Sequence, residues 1–221
     1  MPGGLAASAE VRRPLWFAGL PLDRVRVMGV VNVTPDSFSD GGETADAPSA
    51  IARGMQMLAD GADIIDVGGE STRPGAQPVP VADEMSRVLP VVRALAREGA
   101  RVSIDSRRAE VIAAAIEAGA AIVNDVTALA GDGRSLPLVA AAGVSVILMH
   151  MQGDPRSMQV APHYAEASRE VRDWLGGRLA ACTAAGIGPE RLAVDPGIGF
   201  GKTVAHNLDI RAALDAYGDL G

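Results

Sequence analysis

The sequence predicts an α/β fold, a parallel sheet covered by helices. Short β-branched runs alternate with longer, charged, Ala-rich segments, and that alternation marks βα units. The runs are apolar at consecutive positions, as strands buried on both faces must be. Several segments close on glycine directly before the next run, at Gly61-Ala62, Gly99-Ala100, Gly119-Ala120 and Gly143-Val144. Glycine there supplies the left-handed residue that ends a helix.

In chain order, residues 1–25 carry an apolar patch, Leu15-Trp16-Phe17, with turn residues Gly19 and Pro21. This reads as a hairpin or cap over one end of the sheet. Strands are expected over 26–32, 62–67, 101–105, 120–124, 144–149 and 191–195. Helices are expected over 47–60, 82–98, 107–118, 134–142, 163–186 and 204–217. Residues 26–221 then form one domain, with no linker and no low-complexity segment. The pattern leaves two architectures open, a doubly wound sheet or most of a (β/α)8 barrel. A complete barrel takes about 250 residues. A chain of 221 residues with six units and a cap is two units short.

Composition narrows the partners. The chain is 48% apolar and 21% charged, a globular balance, and with 3% aromatics Ala, Val, Ile and Leu must fill the core. A net charge of −7 argues against nucleic acid or an anionic membrane as partner. An anionic substrate therefore needs a local positive site. The lone cysteine, Cys182, offers no disulfide, which fits a reducing, cytoplasmic compartment. No apolar stretch is long enough to span a bilayer.

Polar residues gather where the strands end. The six runs finish at Asn32, at Gly68-Gly69-Glu70-Ser71-Thr72-Arg73-Pro74-Gly75, and at Asp105, Asn124-Asp125, His150 and Asp195. In both architectures ligands bind at the carboxyl ends of the strands. A single Asp or Asn there serves turns and caps, but polar ends on every strand point to a binding site. Asp66 lies inside a strand, so it must be paired. It is either a site residue or a partner for Arg73 or a backbone amide.

The segment Asp195-Pro196-Gly197-Ile198-Gly199-Phe200-Gly201-Lys202-Thr203 ends like a phosphate-binding loop. That motif also needs a glycine where Pro196 stands, and the dinucleotide fingerprint fails on spacing. What remains is a glycine-rich turn that lets backbone approach a flat ligand. Phe200 is either a stacking residue or plain core. His150 is expected to be hydrogen-bonded near the site, with His163 and His206 on helices. None of the three has metal-ligand spacing.

The stretch Val30-Val31-Asn32-Val33-Thr34-Pro35-Asp36-Ser37-Phe38-Ser39-Asp40-Gly41-Gly42 resembles the first loop of the dihydropteroate synthases, the folate-pathway enzymes that sulfonamides inhibit. Further segments resemble the family in order: Asp63 to Ala76, Val102 to Ser106, Ile122 to Val126, Val146 to Met151 and Leu192 to Lys202. The resemblance implies a (β/α)8 (TIM) barrel with the first six βα units present. It implies the transfer of a dihydropterin methylene from pyrophosphate to 4-aminobenzoate. By the same resemblance Asp195 takes the donor edge of the pterin, Asn124 reads the polarity beside it, and Asp105 steadies cationic character at the ring. Met149, Gly197 and Phe200 would lie against the pterin, Arg73 and Thr72 at the diphosphate, and Phe38 near the aminobenzoate. Asn32 would hold Mg²⁺, and Gly41 and Gly42 would let the first loop close.

The family's Ser-Arg-Lys and Arg-x-His segments have no counterpart before Gly221. They supply a lysine at the pterin, a serine for the aminobenzoate and an arginine for the diphosphate. Residues 1–221 are thus expected to be an N-terminal piece, inactive alone, of an enzyme that is a homodimer at full length. Two rivals stand beside this. A pterin-binding methyltransferase shares the barrel but does not need the first two loops. A non-catalytic paralogue would have no reason to keep Asn32, Arg73, Asp105, Asn124 and Asp195 together.

Overall fold

The computed structural model describes residues 15–34, 47–71, 77–155 and 157–220. Two short strands, β1 (Trp16–Phe17) and β2 (Leu20–Pro21), pair antiparallel as a hairpin. Six strands follow, each after the first preceded by a helix: β3 (Met28–Asn32), α1 (Ala47–Ala59), β4 (Ile64–Gly68), α2 (Val81–Arg97), β5 (Val102–Asp105), α3 (Ala109–Glu117), β6 (Ile122–Asp125), α4 (Ser135–Ala142), β7 (Ser145–Met149), α5 (Ala167–Ala184) and β8 (Leu192–Asp195). A last helix, α6 (Val204–Ala212), leads into a 3₁₀ segment, Leu214–Leu220.

The strands β3 to β8 are parallel and lie side by side in sequence order. A doubly wound sheet reverses its order at a switch point. This one does not, so it is an arc of a (β/α)8 barrel.

Register separates the two faces. Val31, Val67, Ile104, Val123, Val146 and Leu192 stand in one row. They pack beneath the helices with Val88, Val91, Leu95, Val111 and Ile112. The alternate positions face the barrel interior. At its lower end Phe17 is buried with Ile64 and Ile122, flanked by Met28, Ile147 and Ala193. The hairpin therefore plugs the amino end of the barrel, and burying Phe17 alone stabilises by about 1.5–3 kcal/mol.

Two boundaries differ from the sequence reading by more than two residues. α5 begins at Ala167 rather than 163, because the Glu170 carboxylate accepts the N–H groups of Ala165 (2.7 Å) and Glu166 (2.9 Å) and caps the helix there. His163 is consequently in a loop, where Gln152 brackets its backbone N–H and carbonyl at 3.2 and 3.1 Å. α6 gives way to 3₁₀ geometry where Arg172 Nε donates to the Ala216 carbonyl (2.7 Å) and Tyr217 Oη to the Ser168 carbonyl (2.8 Å). Those bonds tie the segment to α5.

Candidate active site at the carboxyl end of the barrel

Parallel pairing brings the polar strand ends into rows. Asn32, Gly68, Asp105, Asn124, Ile147 and Ala193 stand in one register row of the inner face. Val30, Asp66, Ser103, Ile122 and Ser145 form the layer beneath. Met149 and Asp195 pair above. Residues scattered over 164 positions thus line one mouth, from Asn32 to Asp195.

The floor of the mouth is short of partners. Asn124 Nδ2 donates to Asp66 Oδ2 at 3.0 Å. Asp66 Oδ1, Asn124 Oδ1 and Ser103 Oγ are buried without a hydrogen-bond partner among the described residues. Ser103 stands beside Asp66 in register, where its hydroxyl favours the charged form of Asp66. Each buried polar group left unpaired costs about 1–3 kcal/mol. Such a concentration is what a site built to meet a polar ligand would leave in its absence.

Electrostatics point the same way. Burial pushes Asp66 above its ordinary range, against the countering Ser103 hydroxyl and Asn124 amide. Asp105 lies well above its ordinary range, first through burial and then through the charges of Asp66, Asp125, Glu84 and Glu70. A carboxyl crowded by carboxylates is a ready partner for a cationic or donor-rich ligand.

Asp125 belongs to the scaffold. Its Oδ1 accepts from Thr127 N and Oγ1, both at 2.7 Å, and its Oδ2 from Leu129 N at 3.1 Å. It builds the turn after β6. For Asp66 the backbone-amide partner is not the one found. Among the described residues its hydrogen bond comes from Asn124, not from a backbone amide, and Arg73 lies outside the described residues. So do Phe38, Gly41, Gly42 and Thr72.

The glycine-rich loop after β8 is fixed by groups the P-loop comparison would have spent on phosphate. Lys202 Nζ donates to the carbonyls of Gly197 (2.9 Å), Phe200 (2.9 Å) and His150 (3.2 Å), and to His150 Nδ1 (3.0 Å). Burial brings Lys202 down to about 8. It holds His150 at about 4, through burial and then the Lys202 charge, so the ring is a neutral acceptor. Thr203 and His206 form a reciprocal capping box at the start of α6. Asp195 Oδ1 accepts Gly197 N–H at 2.7 Å, and Phe200, half-buried, joins none of the buried apolar clusters.

Gly197 has φ +66°, and a Cβ there would stand 2.0 Å from the His150 carbonyl oxygen. Gly197→Ala is expected to destabilise by about 2–4 kcal/mol, combining a left-handed penalty with overpacking. A thermal melt that matches the parent protein would reject this.

Sequence reasoning missed one group of residues. Glu70 Oε1 accepts from Arg107 Nη2 (2.7 Å) and Nε (3.2 Å), while its Oε2 accepts from Val79 N (3.1 Å) and pairs with Arg108. Arg108 also pairs with the buried Glu84 at 3.3 Å, and Ser106 Oγ donates to Glu84 at 2.7 Å. Arg87 Nη1 holds the Gly69 carbonyl at 3.0 Å. A small recess opens here beside Asp105, lined by Glu70, Glu84, Ser106, Arg107 and Val126. The available signal was Glu84, which falls on the same helical stripe as Val88, Val91 and Leu95. A carboxylate on a buried stripe requires a cation nearby.

Asn32 ends β3 with an exposed side chain. A Cβ at Gly68 would come 3.4 Å from Asn32 Oδ1 and 3.3 Å from Asp105 Oδ2, so the missing side chain leaves a gap that both oxygens border. Among the described residues no group of three or more His, Cys, Asp or Glu is arranged for a metal. None of the described helices is long and apolar enough to cross a membrane. A cavity of about 410 Å³ lies under the hairpin, lined by Trp16, Arg101 and Arg191, at the opposite end from these groups.

A family model of pterin binding enzymes matches residues 28–220. The chain belongs to that family. Dihydropteroate synthase from Escherichia coli K12 is 47% identical over 199 residues, 90% of this chain and 70% of the relative. The Xanthomonas albilineans dihydropteroate synthase with 4-aminobenzoic acid superposes with a TM-score of 0.85 at 48% identity, covering 92% of this chain and 73% of that one. The Yersinia pestis dihydropteroate synthase in a sulfonamide drug complex also gives a TM-score of 0.85, at 43% identity, covering 91% and 74%. The fold class expected from the resemblance is thus met, and the relatives place the chain among the synthases rather than the methyltransferases.

Proposed function

We propose that this chain carries the pterin site of a dihydropteroate synthase. The reaction joins 6-hydroxymethyl-7,8-dihydropterin pyrophosphate to 4-aminobenzoate. The bond from the pterin methylene to the diphosphate oxygen breaks, the amine nitrogen bonds to that carbon, and the amine loses a proton. The observation that carries the reading is the row of inward-facing polar groups, in which the Asn124 amide is held by Asp66 and its own oxygen is buried and unmet among the described residues.

Asp195 keeps one carboxylate oxygen on the Gly197 amide. The other accepts from the donor edge of the pterin. Asn124 offers its unpaired Oδ1 to the next donor. Asp105 faces the ring, where its charge favours cationic character as diphosphate leaves. Met149 and Phe200 give the ring apolar contact, and Gly197 lets backbone approach it. Arg73 and Thr72 bind the diphosphate, since a guanidinium fork matches phosphate oxygens, and Phe38 lies near the aminobenzoate.

Mg²⁺ would suit this mouth, because it takes one or two protein oxygens and shares the rest with water and substrate phosphate. Asn32 would hold it, and when bound it would supply charge neutralisation at the diphosphate. The enzyme works as a homodimer in the cytoplasm in this reading. Exposed Val204, Leu208 and Leu214 on the α6 side and the buried, unpaired Cys182 support those two points.

The test uses the full natural chain with both substrates. Diphosphate release that depends on 4-aminobenzoate and on Mg²⁺ is expected. Release without the amine, or methyl transfer to a corrinoid, would overturn the reading.

A further inference from the structure

Asp66 has no contact with ligand in the proposed reaction, yet it is among the most enclosed charged groups of the mouth, 3% exposed inside β4. It lies one layer beneath Asp105 and Asn124 on the inner face. A carboxylate there gains little for stability, since an apolar residue of similar volume would avoid its desolvation. Its geometry suggests a different use. A carboxyl oxygen that carries no proton only accepts hydrogen bonds. The 3.0 Å bond from Asn124 Nδ2 to Asp66 Oδ2 therefore turns the amide nitrogen toward the barrel interior. The Asn124 oxygen is left buried and unpartnered among the described residues.

We propose that Asp66 is a positioning residue for pterin recognition, fixing the Asn124 amide so that it presents an acceptor to an N–H group of the pterin edge. The proposal rests on the functional reading above. An unoriented Asn offers a donor as readily as an acceptor, and a ring edge of fixed polarity discriminates between them. Without Asp66 the amide flips, and a fraction of the protein meets the ligand donor to donor. Asp66 thus acts through Asn124 and not on the substrate.

The experiment is a double-mutant cycle in the full natural chain, read by calorimetric titration with 6-hydroxymethylpterin. Asp66→Asn is nearly isosteric and accepts either orientation of Asn124. It is expected to weaken pterin binding about tenfold, with the KM for 4-aminobenzoate unchanged. Asn124→Ala weakens binding too, and the double variant is expected to be no weaker than Asn124→Ala alone. Wild-type affinity in Asp66→Asn, or additive losses in the double variant, would overturn the proposal while wild-type binding left the functional reading standing. Failure of the unmodified protein to bind the pterin would overturn both. A second measurement needs no variant. In the unmodified protein one side-chain amide proton of Asn124 should exchange slowly with solvent, whereas fast exchange of both would overturn the proposal.

Discussion

Asp105→Asn is expected to lower kcat in the full-length enzyme by about 10²–10³, the usual loss when one preorganised group facing developing charge is removed. The same substitution is expected to raise stability. Asp105 sits well above the ordinary carboxylate range because it is buried and faces Asp66, Asp125, Glu84 and Glu70. A folded-state value above the unfolded one means the native protein binds more protons. Its contribution is therefore neutral below the unfolded value and increasingly unfavourable as pH rises toward the folded one. Asn removes that penalty. Thermal melts should show Asp105→Asn above the parent at pH 8, by about 3 °C for each ~1 kcal/mol relieved in a domain of this size. The gap should close toward pH 4, where both side chains are neutral. A group retained for folding would show the opposite, lower stability with little change in turnover. Loss of stability together with unaltered kcat would remove Asp105 from the catalytic assignment.

The features legible in the sequence were those with short range. β-branched runs with glycine stops gave the strands, and polar ends gave the mouth, because both follow from local burial and turn chemistry. Strand order was not legible. Only the pairing of β3 through β8 in sequence rejects the doubly wound alternative, and pairing is a long-range property. The Asp66–Asn124 bond joins residues 58 positions apart, and the Glu70–Arg108 pair spans 38. Nothing in either neighbourhood specifies its partner. Lys202 was misleading in the other direction. Gly-Lys-Thr resembles a phosphate motif, but its ammonium is consumed by His150, Gly197 and Phe200, and Thr203 caps α6.

Asp195→Asn separates binding from scaffolding at the other decisive carboxylate. Asp195 serves two masters by geometry: one oxygen accepts the Gly197 amide at 2.7 Å, and its own carbonyl accepts His150 N–H at 3.0 Å. An asparagine retains both, since its Oδ1 still accepts from Gly197 and the backbone is unchanged. The loop from 196 to 203, with its Lys202 anchor, should keep its conformation, and the melt should match the parent. What changes is the second position of the side chain, where an NH₂ replaces an oxygen and meets the donor edge of the pterin. A charge-assisted hydrogen bond of about 1.5–3 kcal/mol is lost, which corresponds to an affinity lower by roughly 10- to 150-fold. Calorimetric titration with 6-hydroxymethylpterin measures this directly. Parent-like affinity in a folded Asp195→Asn protein would mean that the donor edge is read elsewhere. Reduced affinity with an unaltered melt would locate the effect at the ligand, because the loop that the carboxylate also supports would be intact.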